Sequence, residues 1–486
     1  MKREDILAVY EAGPDAVVQL VTGLVQEFTT LIQQQREEIA ELKERVRTLE
    51  QQVNKNSRNS SKPPSTDGFN KPQPKSLRHK GKNAVGGQQG HPGHTLKFTA
   101  KPDHIVVHSL SSCSCGRCLE EQTPIRYEKR QVWDIPPIHV EVTEHRAEVK
   151  QCPACGGIAK AVFPPEAATP AQYGPGMRAF WIYLNQYQLM PYERIAELFK
   201  DWFGHLPSQA TIVNSNLDLY RRLEPVEEQI AQTILQAPVV HFDETGLQVK
   251  GRKHWLHVAG TASHTHFTIH AHRGQKGLEG AGILPNYEGV AIHDAWKPYW
   301  AYDQCQHALC NAHHLRELTY ILEQEKQLWA GRMIELLVDM KHAVDDRYKR
   351  AQSFTPAELA GFVERYDLIL AHGLLEERMK STAIEQKRKG RLKQSKAKNL
   401  LDRLGSRRLE VLSFLCEFHI PFDNNQAERD VRMMKVQQKV SGTFRSEQGA
   451  KTFCRIRGFL STLKKHSLPV LDSIQTVLKG NVVLPI

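Results

Sequence analysis

The chain reads as a multidomain α/β protein. An N-terminal coiled coil, a basic linker, a zinc ribbon and a helical, helix-turn-helix-like region precede an α/β domain interrupted by helices. Three observations carry this reading: a heptad repeat near the start, two Cys-x-x-Cys pairs, and a switch to strand patterning at Pro238. At 486 residues the chain exceeds one compact domain, since domains run to roughly 100–200 residues, and about three or four units fit. The expected division is 1–53, 54–98, 99–165, 166–236, 237–450 with a helical insertion at about 315–420, and a C-terminal helical tail over 451–486.

Lys plus Arg number 65 against 54 Asp plus Glu, a formal charge of +11, and 40% hydrophobic residues suffice for a sizeable core. No run approaches the ~20 apolar residues of a membrane helix, and MKREDILAVYEAG lacks the apolar centre of a signal peptide. The expected place is therefore the cytoplasm, in association with the nucleoid. A basic surplus favours polyanions through counterion release, nucleic acid first, although a merely solvated surface explains the same excess until the charge is localised. Nine cysteines, unevenly placed, are too few for a disulfide scaffold, and metal binding is their expected use.

Val18, Val25, Ile32, Ile39, Val46 and Val53 occupy heptad position a, while Val21, Phe28, Leu42 and Leu49 occupy d; only Gln35 breaks the seam. β-Branched a positions with Leu at the later d positions favour two parallel strands, so residues 16–53 predict a homodimer or higher oligomer. A long helix packed on its own protein is the alternative. Residues 54–98 carry nine Lys or Arg against one Asp among Ser, Pro, Gly and Asn, a composition that buries no core and serves as a spacer or as an arm along phosphates.

Cys115-Gly-Arg-Cys118 and Cys152-Pro-Ala-Cys155 then offer four thiolates to one tetrahedral Zn2+, with Cys113 able to replace Cys115. The alternating VEVTEHRAEVK between them predicts a ribbon strand. Residues 175–222 read as helices, one starting at Pro191 and the next at an N-capping Ser208. The turn through Gly204 has helix-turn-helix spacing, with Gln209, Thr211, Asn214 and Asn216 on the second helix; an ordinary helical hairpin has the same pattern.

From Pro238, VVHFDETGLQVKG, KHWLHVAGT and HTHFTIHAHRG predict three strands joined by short turns, and EGVAIHDAW a further strand after a helix. Asp243 lies within or just after the first strand and Asp294 ends the last, so neighbouring strands would bring both carboxylates to one sheet edge. Far downstream, PFDNNQAERDVRMMK opens a helix capped by Asp423 or Asn424, with Ala427, Val431 and Met434 as its buried stripe and Glu428 at the border of that stripe. Two aspartates on strands and a glutamate on a late helix suit two Mg2+ or Mn2+ ions roughly 3.5–4 Å apart, which activate a water or 3′-hydroxyl and stabilise the leaving oxygen in phosphodiester displacement. Each acid alone is weak evidence, since Arg432 at i+4 offers Glu428 a plain surface ion pair. Glu244 should point to the opposite face of its strand and is the poorer candidate.

The segments HFDETG, KHWLHV, HDAWKPYW, CNAHHLREL and PFDNNQAERDVRMMKVQQKVSGTFRS, in this order and behind the dimer, linker and zinc segments, resemble the insertion-sequence-66 family of bacterial transposases over almost the whole chain. The resemblance implies a ribonuclease-H-like catalytic domain with an Asp-Asp-Glu metal triad at Asp243, Asp294 and Glu428. It also implies a helical insertion, which agrees with the separation of 134 positions from Asp294 to Glu428. The expected activity is metal-dependent cleavage and strand transfer at the inverted repeats of the element, without a covalent protein–DNA intermediate. The partners are the element's ends, target DNA and possible small accessory proteins of the same element. Cys310-Asn-Ala-His313 matches a Cys-x-x-His element that starts a helix supporting the active site; two ligands alone point to a structural or substrate-contacting role. Trp296 is read as a core tryptophan, with stacking on an unpaired base as the sharper alternative. Within the insertion, KRKGRLKQSKAK at 387–398 holds seven Lys or Arg and no acid, so Lys387, Arg388, Lys389, Arg391 and Lys393 are expected to follow DNA phosphates.

Overall fold

The structure is a computed structural model that describes residues 3–60, 67, 96–136, 138–350, 352–382 and 394–481. Helix α1 (Arg3–Glu11) turns at Gly13, whose φ of 104° suits glycine, into α2 (Pro14–Val53), a single 40-residue helix roughly 60 Å long. The heptad seam is helical as the spacing predicts, and it is exposed along its whole length: Val18 is 62% and Ile39 51% exposed. Its end is anchored elsewhere in the chain. Asn54 Nδ2 donates to Gln324 Oε1 at 3.1 Å, Arg58 pairs with Glu323, and Asn59 is buried. The segment expected to be a free linker thus begins with docked residues.

In the cysteine region β1 (Val149–Gln151) pairs antiparallel with β2 (Ile158–Lys160) around the Cys152–Gly157 turn. Only the end of VEVTEHRAEVK forms a strand. A two-stranded ribbon with every residue exposed has no apolar face to extend it.

Helices α3 (Pro175–Ile182), α4 (Tyr192–Phe203), α5 (Gln209–Arg222) and α6 (Glu224–Leu235) follow. Pro191 precedes α4 as its N-cap, Gly204 ends it in the left-handed region, and Ser208 Oγ accepts from the Thr211 amide as α5 begins. Gln209 and Asn214 are exposed, but Asn216 is buried and donates to Asn185 Oδ1 at 2.9 Å, so it faces the protein interior and not a ligand.

The main sheet holds β3 (Val239–Val249), β4 (Arg252–Gly260), β5 (Thr265–His270), β6 (Val290–His293) and β7 (Gln306–Leu309) in the order β5-β4-β3-β6-β7. The first three form an antiparallel meander, and β6 and β7 run parallel to β3. Helix α7 (Gln275–Ala281) makes the crossover from β5. After β7 come α8 (Asn311–Tyr320), α9 (Leu328–Lys349), α10 (Pro356–Thr382), α11 (Lys396–Ser406) and α12 (Arg408–Cys416), which enclose a core of their own around Trp329, Met333, Tyr366, Leu401 and Phe414. Helices α13 (Asn425–Ser441), α14 (Glu447–Lys465) and α15 (Val470–Leu478) return to the sheet.

The segment read as a C-terminal tail contributes to the main core. Ile456, Phe459, Leu460 and Leu463 of α14 pack with Val240, Phe242 and Ala259 of the sheet. Gly458 permits the approach to β5, since a Cβ there would sit 3.0 Å from the Thr265 carbonyl. Among the described residues no helix is long and apolar enough to cross a membrane.

Candidate active site

Strand alternation sorts the carboxylates. Leu247 and Val249 pack with Ala427, Val431 and Met434 of α13, so Asp243, of the same parity, belongs to the α13 face. The parallel register pairs His241 with Ile292, and continuing it two residues sets Asp243 level with Asp294. Asp294 follows β6 directly. Its Oδ1 accepts from the Trp296 amide at 3.0 Å, and Ala295 between them has φ 63°, a conformation rare outside glycine that bends the chain at this point. Beneath the bend lies His293, fully buried, stacked on Tyr299 at 4.4 Å and bonded to His307 at 2.9 Å.

Helix α13 is fixed at its start by Asn424, which is 1% exposed. Asn424 Nδ2 donates to the Phe242 carbonyl at 2.7 Å, Oδ1 meets His241 Nδ1 at 2.8 Å, and the backbone N–H donates to Cys310 Sγ at 3.1 Å. One side chain therefore ties the helix to β3, and its amide ties it to α8. The expected cap is divided: Asp423 Oδ1 accepts from the Asn425 amide, while the Asn424 side chain serves the sheet. Glu428 is not held by Arg432. Arg316 of α8 bonds both its oxygens, at 3.3 and 3.2 Å, and His313 Nε2 lies 3.8 Å from Oε1.

Electrostatics ties the acids together. The Asp243 carboxyl is pushed well above the usual range by loss of solvation, then by the charge of Glu244, with Asp294 and Glu428 adding to it against one hydrogen bond from the Glu244 amide. Among the described residues no lysine or arginine forms an ion pair with Asp243 or Asp294; the nearby pairs go to Glu244 and Glu428. The structure does not bring the ligand oxygens of Asp243, Asp294 and Glu428 all within 4.8 Å of one another; hard oxygen donors of this kind, without a matching protein cation, fit Mg2+ or Mn2+ and do not favour a soft metal.

Glu244, the poorer candidate on alternation, does lie on the other face, and its side chain is fully organised there. Its side chain is 2% exposed, accepts from Tyr299 Oη at 2.6 Å, and receives Arg273 Nη2 at 2.7 Å and Nε at 3.0 Å. Burial first, then Asp294, raises its carboxyl, and Tyr299 and Arg273 oppose that. The Arg273 guanidinium covers Trp296 at 4.1 Å and Trp255 at 4.9 Å. Trp296 packs at the edge of the main core, as the core reading expects, with Arg273 over its ring. An isolated arginine in HAHRG has no spacing signal, so sequence reasoning passed over it.

Cys310 stands at the N-cap position of α8 and is buried, and His313 stands one turn later. Cys152 is drawn below the usual thiol range by the Cys155 and Ala154 amides, the N–H···S bonds that ready a knuckle for zinc. Cys113 is lowered likewise by the Cys115 amide. Gly116 and Gly156, at φ 86° and 69°, make the two knuckle turns. The structure does not bring three of Cys115, Cys118, Cys152 and Cys155 within 4.8 Å of one another; in such modules binding of the ion itself drives closure. Lys387, Arg388, Lys389, Arg391 and Lys393 lie outside the described residues.

Cysteine knuckles ahead of an α/β sheet that bears acidic residues at neighbouring strands set the chain among transposases. It belongs to the Transposase IS66 family, whose profile matches residues 170–452, and the zinc-finger binding domain of transposase IS66 matches residues 111–156. A family of unknown function (DUF6444) matches residues 18–97, across the heptad helix and the basic segment. No match is found among curated proteins.

Proposed function

We propose that the chain cleaves and joins DNA strands at the terminal inverted repeats of its insertion sequence, on a ribonuclease-H-like sheet. What supports this is the shared face and register of Asp243 and Asp294, with the charges of Asp294 and Glu428 adding to the rise of the Asp243 carboxyl that burial and Glu244 begin. The strand order β5-β4-β3-β6-β7 supports the fold. Asp243, Asp294 and Glu428 would hold Mg2+ or Mn2+. When bound, such ions supply activation of a water or 3′-hydroxyl and stabilisation of the leaving oxygen. The protein's own part is positioning: Asn424 fixes the start of α13, Arg316 orients the Glu428 carboxylate, and the bend at Ala295 aims Asp294.

Substrate recognition falls to the zinc finger, held by Cys115, Cys118, Cys152 and Cys155, and to α4–α5 with Gln209 and Asn214 exposed. The basic run from Lys387 to Lys393 follows phosphates, and its neutralisation should flatten the salt dependence of DNA binding. The exposed seam of α2 joins two or more copies, and small companion proteins of the element are candidate partners.

The test is Mg2+-dependent cleavage and joining of labelled element ends by the full chain. Both steps are expected, with Asp294→Asn retaining DNA binding and losing both. Cutting without joining would make the protein a nuclease, and binding without any metal-dependent cutting would leave only a DNA-binding protein.

A further inference from the structure

Among the described residues one set of three metal-capable side chains has ligand atoms within 4.8 Å of one another, namely Cys310, His313 and Glu428. We propose that these residues form a second metal site, specific for Zn2+ or an ion of similar softness, separate from the zinc finger and sharing only Glu428 with the oxygen-ligand set.

The backbone builds the first half of the site. Cys310 is the N-cap of α8 and the His313 amide donates to its carbonyl at 3.2 Å, so thiol and imidazole start the same turn at a spacing of three. Glu428 arrives from α13, which the Asn424 amide fastens to Cys310 Sγ at 3.1 Å. That N–H···S bond is the outer support a metal thiolate uses.

The distances suit zinc. Metal bonds of ~2.1 Å to nitrogen and oxygen in a tetrahedron put those two ligand atoms ~3.4 Å apart. His313 Nε2 and Glu428 Oε1 stand 3.8 Å apart, too far for a hydrogen bond and a few tenths of an ångström from that edge. His313 Nδ1 is buried with no hydrogen-bond partner, so no bond made by either ring nitrogen opposes a small rotation of the ring. Three protein ligands leave the fourth position open, as in zinc sites that admit water or another ligand.

Ligand softness separates the two sites. Thiolate and imidazole select zinc over magnesium, and the Asp243–Asp294 oxygens have the opposite preference. Glu428 can serve one set at a time. Zinc bound at Cys310 and His313 therefore withdraws Glu428 from the aspartates and stops strand cleavage. This inhibitory consequence rests on the proposed role of Glu428; zinc binding itself does not.

The experiment uses the full chain and Co2+ as the probe, with ions per chain counted by equilibrium dialysis and thiolate ligation read from the sulfur-to-cobalt absorption band. With excess Mg2+ present to occupy the oxygen-ligand set, the native chain should bind one thiolate-ligated ion beyond that of the finger. Cys310→Ser and His313→Asn should each weaken that extra ion more than about 100-fold and keep the finger's ion. Cys152→Ser with Cys155→Ser should do the reverse. An unchanged ion count and band in both Cys310→Ser and His313→Asn, with native circular dichroism, overturns the site. In the activity arm, Zn2+ beyond the finger's equivalent should slow Mg2+-dependent cleavage at least about ten-fold in the native chain and leave Cys310→Ser at its own zinc-free rate. If the extra ion binds, is lost in both variants and does not slow cleavage, the site stands and the assignment of Glu428 to the catalytic set falls.

Discussion

Two long helices of this chain, α2 and α14, carry apolar stripes and meet opposite fates. Helix α14 buries eleven of its 19 residues against the sheet and its neighbours, while α2, 40 residues long, buries none. Ile456, Phe459, Leu460 and Leu463 each contribute roughly 1.5–3 kcal/mol by burial, so α14 is part of what makes the sheet domain stable. The α2 stripe contributes nothing within a single chain. Apolar periodicity thus marks a face suited to packing without saying what packs on it.

The largest expected effect strikes α14. Lys465 Nζ donates to the Thr261 and His264 carbonyls and pairs with Asp430 at 2.9 Å, both side chains being at most 10% exposed. Lys465→Met leaves the Asp430 charge buried and unmatched, and chemical denaturation should report a loss of about 3–5 kcal/mol. Because Asp430 and Glu428 share α13, catalytic positioning should suffer as well. A loss below ~1 kcal/mol would mean that this contact does not dock the helix.

Acidification comes next and separates the two regions. Burial lowers His257 and His266 to about 4 from an ordinary 6.5. The unfolded chain therefore binds more protons between those values, so the stability they contribute is complete above pH 6.5 and is lost as pH falls toward 4. For His257 alone the change is on the order of 3 kcal/mol. Residues 1–53 contain no histidine, so denaturation curves at pH 7 and pH 5 should show the sheet domain weakening while the α2 helix signal holds. A His257→Gln chain should show a shallower fall.

The smallest effect on domain stability belongs to the seam. Ile32→Glu with Ile39→Glu should change the unfolding free energy of the sheet domain by no more than about 0.5 kcal/mol. The same pair should lower the oligomeric size in sedimentation. An unchanged size would give the stripe a partner other than α2 of a second copy.

Much of this contrast was legible from local pattern. The α13 stripe of Ala427, Val431 and Met434, the Ser208 cap, the Gly204 turn and the α2 heptad are all near-neighbour signals, and each stands where expected. Asp294 could be singled out because a strand end is itself a local feature, whereas Asp243 stands inside β3 and not at the sheet edge expected for it. The partners of these residues were not legible. Asn424 reads as a helix cap until the Phe242 carbonyl and His241 occupy its side chain, and those contacts span more than 180 positions. Arg316 displaced the nearer Arg432 from Glu428 across 112 positions. Glu244 and Arg273 meet only because the β3–β5 meander folds back on itself. Asn216 shows the converse, a polar residue whose type suggested a base reader and whose helix face buried it.

In the proposed function Asp243, Asp294 and Glu428 act as one site for hard cations. Mn2+ binding to the full chain, followed by the loss of its free electron-spin resonance signal and competed with Mg2+, tests this directly. Saturable binding is expected, displaced by Mg2+ and lost alike in Asp243→Asn, Asp294→Asn and Glu428→Gln. Binding that survives Glu428→Gln unchanged, or that never appears in the native chain, would contradict it.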